Sequence, residues 1–289
     1  QPSFPEDKGT LEVTRIAPTF VDSSELAAID APLASSEAVS APMLGIGAFS
    51  FISIGGRLGD MWVALRRNPK ALTGLCIVAF FMLVAIFGPI FLHNDPNALS
   101  PDTLQAPSAT HWLGTTQTGQ DVFSQVVAGT RSSVFWGFLT GLLVTILSVA
   151  VGLSAGYFGG IIDEILSLIV NIFFVLPALP LAIVLASFLP YKGPVTVSLV
   201  IMITSWAWGA RVLRSQTLTM RNRDFLEAAR SNGESTFRII FFEILPNEIA
   251  LVAAGFVNTV LFVILAEAGL EFIGLGNVTV VSWGTMFYW

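Results

Sequence analysis

Residues 72–92 contain not one charged side chain. A helix needs about 20 apolar residues to cross the roughly 30 Å of hydrocarbon in a bilayer. Lipid offers no water to backbone N–H and C=O groups, so a span that satisfies them internally is a helix. Four more stretches have the same character: 134–158, 165–189, 195–210 (extending into 211–218) and 249–272. The second carries Gly137, Gly141, Gly152 and Gly156, a spacing suited to close helix contact. The third is interrupted by Pro177 and Pro180, and the fifth carries Glu267 and Glu271 near its end. The expected fold is an all-α integral membrane protein with five transmembrane helices in this chain.

Composition agrees. Of 289 residues 12% are charged and 54% hydrophobic, against about 25% charged in soluble domains. The net charge of −6 is misleading, because much of the acid lies in the first 40 residues, outside any apolar segment. No basic arm or zinc-ligand spacing points to nucleic acid. Cys76 is the single cysteine, which excludes an intramolecular disulfide and reads as a small lipid-facing or packing residue. His93 and His111 stand apart beside loops and make no metal site. The phosphate-binding pattern Gly-x-x-x-x-Gly-Lys-Ser/Thr is absent, so any ATP used by this protein is hydrolysed by another chain. The chain reads as a non-enzyme that needs no cofactor of its own.

Residues 1–60 read as a mostly irregular tail, polar and acidic at first, with an apolar stretch at 43–54 too short to span. Residues 1–30 show neither a basic region nor an apolar one, so no signal peptide is visible there. Residues 61–289 form the membrane domain. Basic residues fix its direction. Arg57, Arg66, Arg67 and Lys70 precede the first span, and Arg211, Arg214, Arg221, Arg223, Arg230 and Arg238 follow the fourth. Between them, 93–133 holds only Arg131, and the turn between spans three and four only Lys192. Both basic clusters therefore belong in the cytoplasm, with the N-terminus inside and 273–289 outside. Residues 282–289 carry no closing polar tail, and a sixth span is expected beyond Trp289.

The segment 221–247 joins two spans, is rich in charge, and is too long for a simple turn. Residues 224–231 predict a short helix with Asp224 at its positive end. Glu227 is within reach of Arg223 and Arg230. Asn232-Gly233 is a stop, since glycine takes the left-handed conformation that ends helices. Ser235 caps a second helix whose Phe237, Ile240, Phe241 and Ile244 form an apolar stripe, and Pro246 ends it before span five. Such a helix, corner and amphipathic helix can dock into a partner's groove. It can equally be an interfacial connector.

Glu227-Ala228-Ala229, Arg230, Gly233, Phe237 and Ile244-Leu245-Pro246 resemble the EAA loop of ABC-importer permeases. The resemblance runs from about residue 68 to 289 and is closest to the dipeptide, oligopeptide and nickel branch. Asn68-Pro69-Lys70-Ala71 is similar to its entry to span one, and His111-Trp112-Leu113-Gly114-Thr115 with Gly119-Gln120-Asp121-Val122 to its external loop. Gly156-Tyr157-Phe158-Gly159-Gly160 with Asp163 resembles its turn after span two. The stretches 269–276 and 282–284 are similar to its approach to the last span. Gln120 stands where Arg is more usual, Glu271 where Ser is common, and the tail is long for the family.

The resemblance implies the type I importer permease fold in a bacterial inner membrane, with 221–247 as the element coupled to the ATPase. It implies a second homologous permease, two ATPase subunits that bind ATP and Mg, and an extracytoplasmic binding protein. Peptides are the expected substrate, with nickel or short oligosaccharides as alternatives. An ion-coupled secondary transporter and a non-transporting scaffold or channel are the readings from other classes. Pro177 and Pro180 read either as a kinked wall of the transport pathway or as a structural kink. Glu267 and Glu271 read as pathway acids, or as acids near an interface that reach headgroups and water. Asp163 and Glu164 read as helix-start acids.

Overall fold

The computed structural model describes Arg66, residues 68–92 and residues 94–288, all within one unit, Val63–Trp289. The tail at 1–60, Arg57, Arg67, His93 and Trp289 lie outside the described residues.

All regular structure among the described residues is helical, with one isolated bridge between Thr115 and Asp121. Helix α1 is Pro69–Phe87, capped by Asn68 and followed by a 3-10 turn at Gly88–Phe91. Then come α2, Val122–Phe158, α3, Gly160–Val175, and α4, Ala178–Phe188. Helix α5 is Pro194–Met220, α6 is Asp224–Ser231, α7 runs through Thr236–Phe272, and α8 is Trp283–Tyr288. Pro69–Phe91, Val122–Phe158, Pro194–Met220 and Thr236–Phe272 are each long and apolar enough to span a membrane. The α3–α4 pair, bent by 88°, makes a fifth if it is one span.

The glycines of α2 set the packing. A Cβ on Gly137 would strike Ile264, and one on Gly141 would lie 2.6 Å from Val260, so α7 runs antiparallel along this face. A Cβ on Gly152 would lie 2.6 Å from the Ala210 carbonyl, and one on Gly156 2.6 Å from Thr217, so α5 runs parallel along the other. The Ser148 hydroxyl donates to the Trp206 carbonyl at 2.8 Å across the same seam. Small residues let backbones approach closely where apolar transfer gives helices no drive to associate. Outward faces are large and apolar, among them Phe80, Ile86, Phe135, Leu168 and Leu261, and Cys76 is exposed with them.

Three expectations about the elements need correction. The second span begins at Val122, twelve residues before the apolar run, because Ser124, Gln125, Thr130 and Ser133 are buried against other parts of the chain. Gln125 donates to the Gln120 side chain at 2.7 Å, while Thr130 and Ser133 accept from the Trp283 ring N–H and amide. In the third span only Pro177 marks the break. Leu176 before it is extended, as a residue preceding proline tends to be, and Pro180 falls in the first turn of α4, where a missing N–H costs nothing. Pro246 does not end a helix. The chain passes it in a π turn at Ile239–Ile244, where the Leu245 amide bonds to the Ile240 carbonyl, and continues unbroken.

Candidate functional site

The corner within segment 221–247, at the basic end of the bundle, forms from local causes. The Gly233 amide donates to the Arg230 carbonyl at 3.0 Å and the Glu234 amide to the Ala229 carbonyl at 3.1 Å, closing α6 in a Schellman turn. Gly233 has φ +75°, and an added Cβ there would meet nothing within 4 Å, so it is the backbone rather than space that asks for glycine. The Arg238 amide donates to the Ser235 hydroxyl at 3.4 Å, starting the next helix.

The segment has two faces. Leu226, Ala229, Ile239, Ile240 and Ile244 are buried with Leu153 and Met220. Glu227, Ala228, Arg230, Gly233 and Phe237 are exposed, and Phe237, 66% exposed, stacks on Phe241 at 4.4 Å. The expected stripe is thus divided: Ile240 and Ile244 turn inward with Ile239, while Phe237 and Phe241 stay outside. Glu227 forms no ion pair with Arg223 or Arg230. Arg230 instead donates to the Arg221 carbonyl at 3.0 Å and lies over the Tyr157 ring.

Polar links tie this segment to the spans. Glu248, buried just past Pro246, accepts from the Thr217 hydroxyl of α5 at 2.9 Å. Asp163, in the first turn of α3, receives a two-pronged bond from Arg214 of α5 at 2.5 and 2.8 Å and another from Ser167. Arg211 lies 4.6 Å from the centre of the Phe174 ring, beside the α3–α4 break.

At the opposite end of α7, Glu267 and Glu271 are only 3% and 2% exposed. They do not reach headgroups or water, as a position near an interface suggested. Glu271 accepts from the Ser282 hydroxyl, and Gly276 and Gly284 close over it so tightly that a Cβ on either would lie 2.6 Å from its side chain. Thr285 completes the clasp through Ser282. Glu267, one turn earlier, has no partner for either carboxylate oxygen among the described residues.

The loop before α2 is fixed by Asp121. Its carboxylate accepts from the Ser124 amide at 3.0 Å and hydroxyl at 2.6 Å, and lies 3.0 Å from His111 Nδ1. His111 therefore has an acid beside it, unlike the isolated histidine expected. Burial pushes the Asp121 carboxyl up, but the Ser124 bonds and His111 outweigh it and hold it below the usual range.

Between the two ends, the α3–α4 break, α5 and α7 line an open cavity of about 580 Å³. Phe173, Pro177, Ser205, Trp208, Asn258 and Phe262 are among its lining residues. A second cavity of about 130 Å³ shares Trp208, Asn258 and Thr259 with it and reaches Ser148 and Gly255. The two make one furrow along the middle of the spans. No lining residue of either is charged.

Residues 148–288 match the family described as binding-protein-dependent transport system inner membrane component. Residues 56–107 match the N-terminal transmembrane domain of oligopeptide transport permease C. The chain is 36% identical over 231 residues to the oligopeptide transport system permease protein OppC of Bacillus subtilis (strain 168), covering 78% of this chain and 75% of that one. The chain belongs to this permease family. The permease is also 35% identical over 232 residues to the dipeptide transport system permease protein DppC of the same organism, covering 78% and 71%. It is 33% identical over 218 residues to the nickel transport system permease protein NikC of Escherichia coli (strain K12), covering 73% and 77%. The permease is thus an inner-membrane transport component of the peptide–nickel branch.

Sequence spacing brought Glu227, Ala228, Ala229, Arg230, Gly233 and Phe237 to one element of the permease, with only Ala229 turned inward. It did not bring the four pathway candidates together. Pro177 lines the furrow, whereas Pro180, Glu267 and Glu271 do not. Sequence reasoning also missed Glu248, Ser205 and Asn258. Each is a polar side chain within a helix long and apolar enough to span a membrane.

Proposed function

We propose that the permease is the membrane half of an ATP-driven, binding-protein-dependent importer of peptides. It works with a second homologous permease, two ATPase subunits that carry ATP and Mg, and an extracytoplasmic binding protein. The observation that carries this reading is the two-faced segment at the basic end. Its inner face is locked to Leu153 and Met220, while Glu227, Ala228, Arg230 and Phe237 are left for a partner. Exposed aromatic and Arg side chains on a rigid support are what a gripping protein uses as anchors. The basic end faces the cytoplasm on the distribution of Lys and Arg. Residues 1–60 form a cytoplasmic tail and 61–289 the pore domain. Peptide uptake is favoured over nickel or oligosaccharide because OppC and DppC, two of the relatives above, are named for peptides. Pro177 shapes the pathway wall, Pro180 lies beyond it in the first turn of α4, and Glu267 and Glu271 form the buried core of the outer end.

The test is peptide uptake by the complete complex in proteoliposomes, read together with ATP hydrolysis. Uptake is expected to need ATP. A β-branched residue at φ +75° costs roughly 1–2 kcal/mol. Gly233→Val is therefore expected to lower peptide taken up per ATP hydrolysed about tenfold, with the complex still assembled. Uptake that persisted without ATP and collapsed with an ion gradient would overturn the proposal in favour of an ion-coupled carrier. Normal coupling in Gly233→Val at normal expression would remove the coupling role.

A further inference from the structure

Asn258 lies midway along Leu245–Phe272, and Ser205 and Trp208 lie near the middle of Pro194–Met220. These are the middle stretches of two helices long and apolar enough to span a membrane. Asn258 is nonetheless exposed. One of its amide hydrogens goes to the Ala254 carbonyl at 2.9 Å, which leaves its own carbonyl oxygen and a second N–H to point elsewhere. The Ser205 hydroxyl is buried beneath the same furrow and has no partner among the described residues. Polar groups at this depth are tolerated where they meet protein or line a cavity, and not against lipid.

The same molecule supplies a contrast. A third cavity, of about 430 Å³ between α1, α2 and α7, is lined by Ile77, Phe81, Val134, Phe138, Val260 and Leu261, all apolar. That is a wall suited to acyl chains or a neighbouring helix. The furrow differs in kind: a concave surface with a few converging hydroxyl and amide groups among aromatic rings, the composition of a small-molecule site.

We infer that the furrow at Ser205, Trp208, Asn258 and Thr259 is the wall along which the transported solute passes, and that it reads peptide main chain. This rests on the importer reading above and specifies its recognition chemistry. Each peptide unit offers one donor and one acceptor. Asn258 has both free, and the Thr259 hydroxyl beside it can serve as either. Phe173, Phe174, Trp208 and Phe262 offer apolar surface to side chains of any size. The absence of charge along the lining makes the wall indifferent to side-chain charge. A divalent transition metal would instead need imidazole, thiolate or carboxylate ligands, and no His, Cys, Asp or Glu lines the furrow.

The test uses the whole transporter in proteoliposomes, with Cys76→Ser removing the single native thiol of this chain and labelling read on this chain alone. In that background Asn258→Cys is expected to react with a membrane-impermeant thiosulfonate, and a neutral tripeptide presented with its binding protein is expected to slow the reaction several-fold. Nickel ions should give no protection. Leu261→Cys, on the apolar face of the same helix, should not react. Separately, Asn258→Leu should lower tripeptide uptake about tenfold, the equivalent of roughly 1.4 kcal/mol, with ATP hydrolysis and assembly retained. An Asn258→Cys thiol that is unreactive, that is indifferent to peptide, or that crosslinks to the second permease chain overturns the inference. So does protection by nickel. If the wild-type complex imports no peptide at all, the importer reading has failed first. If the wild type imports and position 258 is silent, only the furrow assignment falls.

Discussion

Asp121 does three jobs with one carboxylate. It caps α2, bonds the Ser124 hydroxyl and holds the His111 ring, so the loop from 111 to 121 is anchored where the helix begins. Loss of a capping side chain costs about 1 kcal/mol, up to roughly 2. Asp121→Asn is a close isostere that removes the charge. The wild-type carboxyl is held below the usual range, so its extra stability is complete above that range and is lost as pH falls through the lowered value. The melting temperature of wild type should therefore exceed that of Asp121→Asn at neutral pH, and the gap should close in acid. A gap that stayed constant from neutral pH to below the carboxylate range would show that the charge is not what matters. Nearby, the backbone sets its own demand. Gly119 has φ +77°, and a Cβ there would collide with the Ser100 carbonyl, so no other residue fits the turn.

Glycines that look alike in the sequence divide sharply once the helices are packed. Gly152 faces α5 with the Ala210 carbonyl and Leu213 both within 3 Å of where a Cβ would stand, whereas Gly269 in α7 faces open space. Gly152→Val should force α2 and α5 apart and cost about 1–3 kcal/mol. Gly269→Ala should be neutral or stabilise by up to about 1 kcal/mol, because alanine is the better helix former. Size-exclusion profiles and melting in detergent distinguish the two, and equal damage from both would contradict the packing described. This contrast also marks what was legible. The apolar runs, the glycine seam of α2 and the Asn232-Gly233 corner depend on spacing within a few residues, and all three appear where the sequence placed them. The first three turns of α2 do not announce themselves. Thr130 and Ser133 are polar and look like loop until Trp283, about 150 positions away, comes to bond them. Glu271 looked interfacial for the same reason: Ser282, Gly276 and Gly284, which bury it, lie beyond its helix. The furrow draws on α2, the α3–α4 break, α5 and α7, so no one stretch of sequence reports it.

At the scale of the whole chain, the segment at 221–247 is held by a cluster apart from those that hold the middle of the bundle. Leu226 is fully buried in that cluster. Truncating it to alanine should cost about 2–5 kcal/mol, felt first as local opening rather than global unfolding. Hydrogen exchange should rise across 221–247 in Leu226→Ala while amides at 260–272 keep their protection. Uniformly faster exchange would mean that the chain melts as one unit. The segment and the far end of the bundle are nonetheless parts of one object. Thr236–Phe272 is 37 residues of unbroken helix, roughly 55 Å at 1.5 Å per residue. Phe237 stands at its start, and Glu271 with its clasp on Ser282 at its finish. Because the π turn carries the chain past Pro246 without a break, there is no joint between handle and shaft. The exposed Phe237 and the loop clasped to Glu271 are therefore the two ends of one continuous rod.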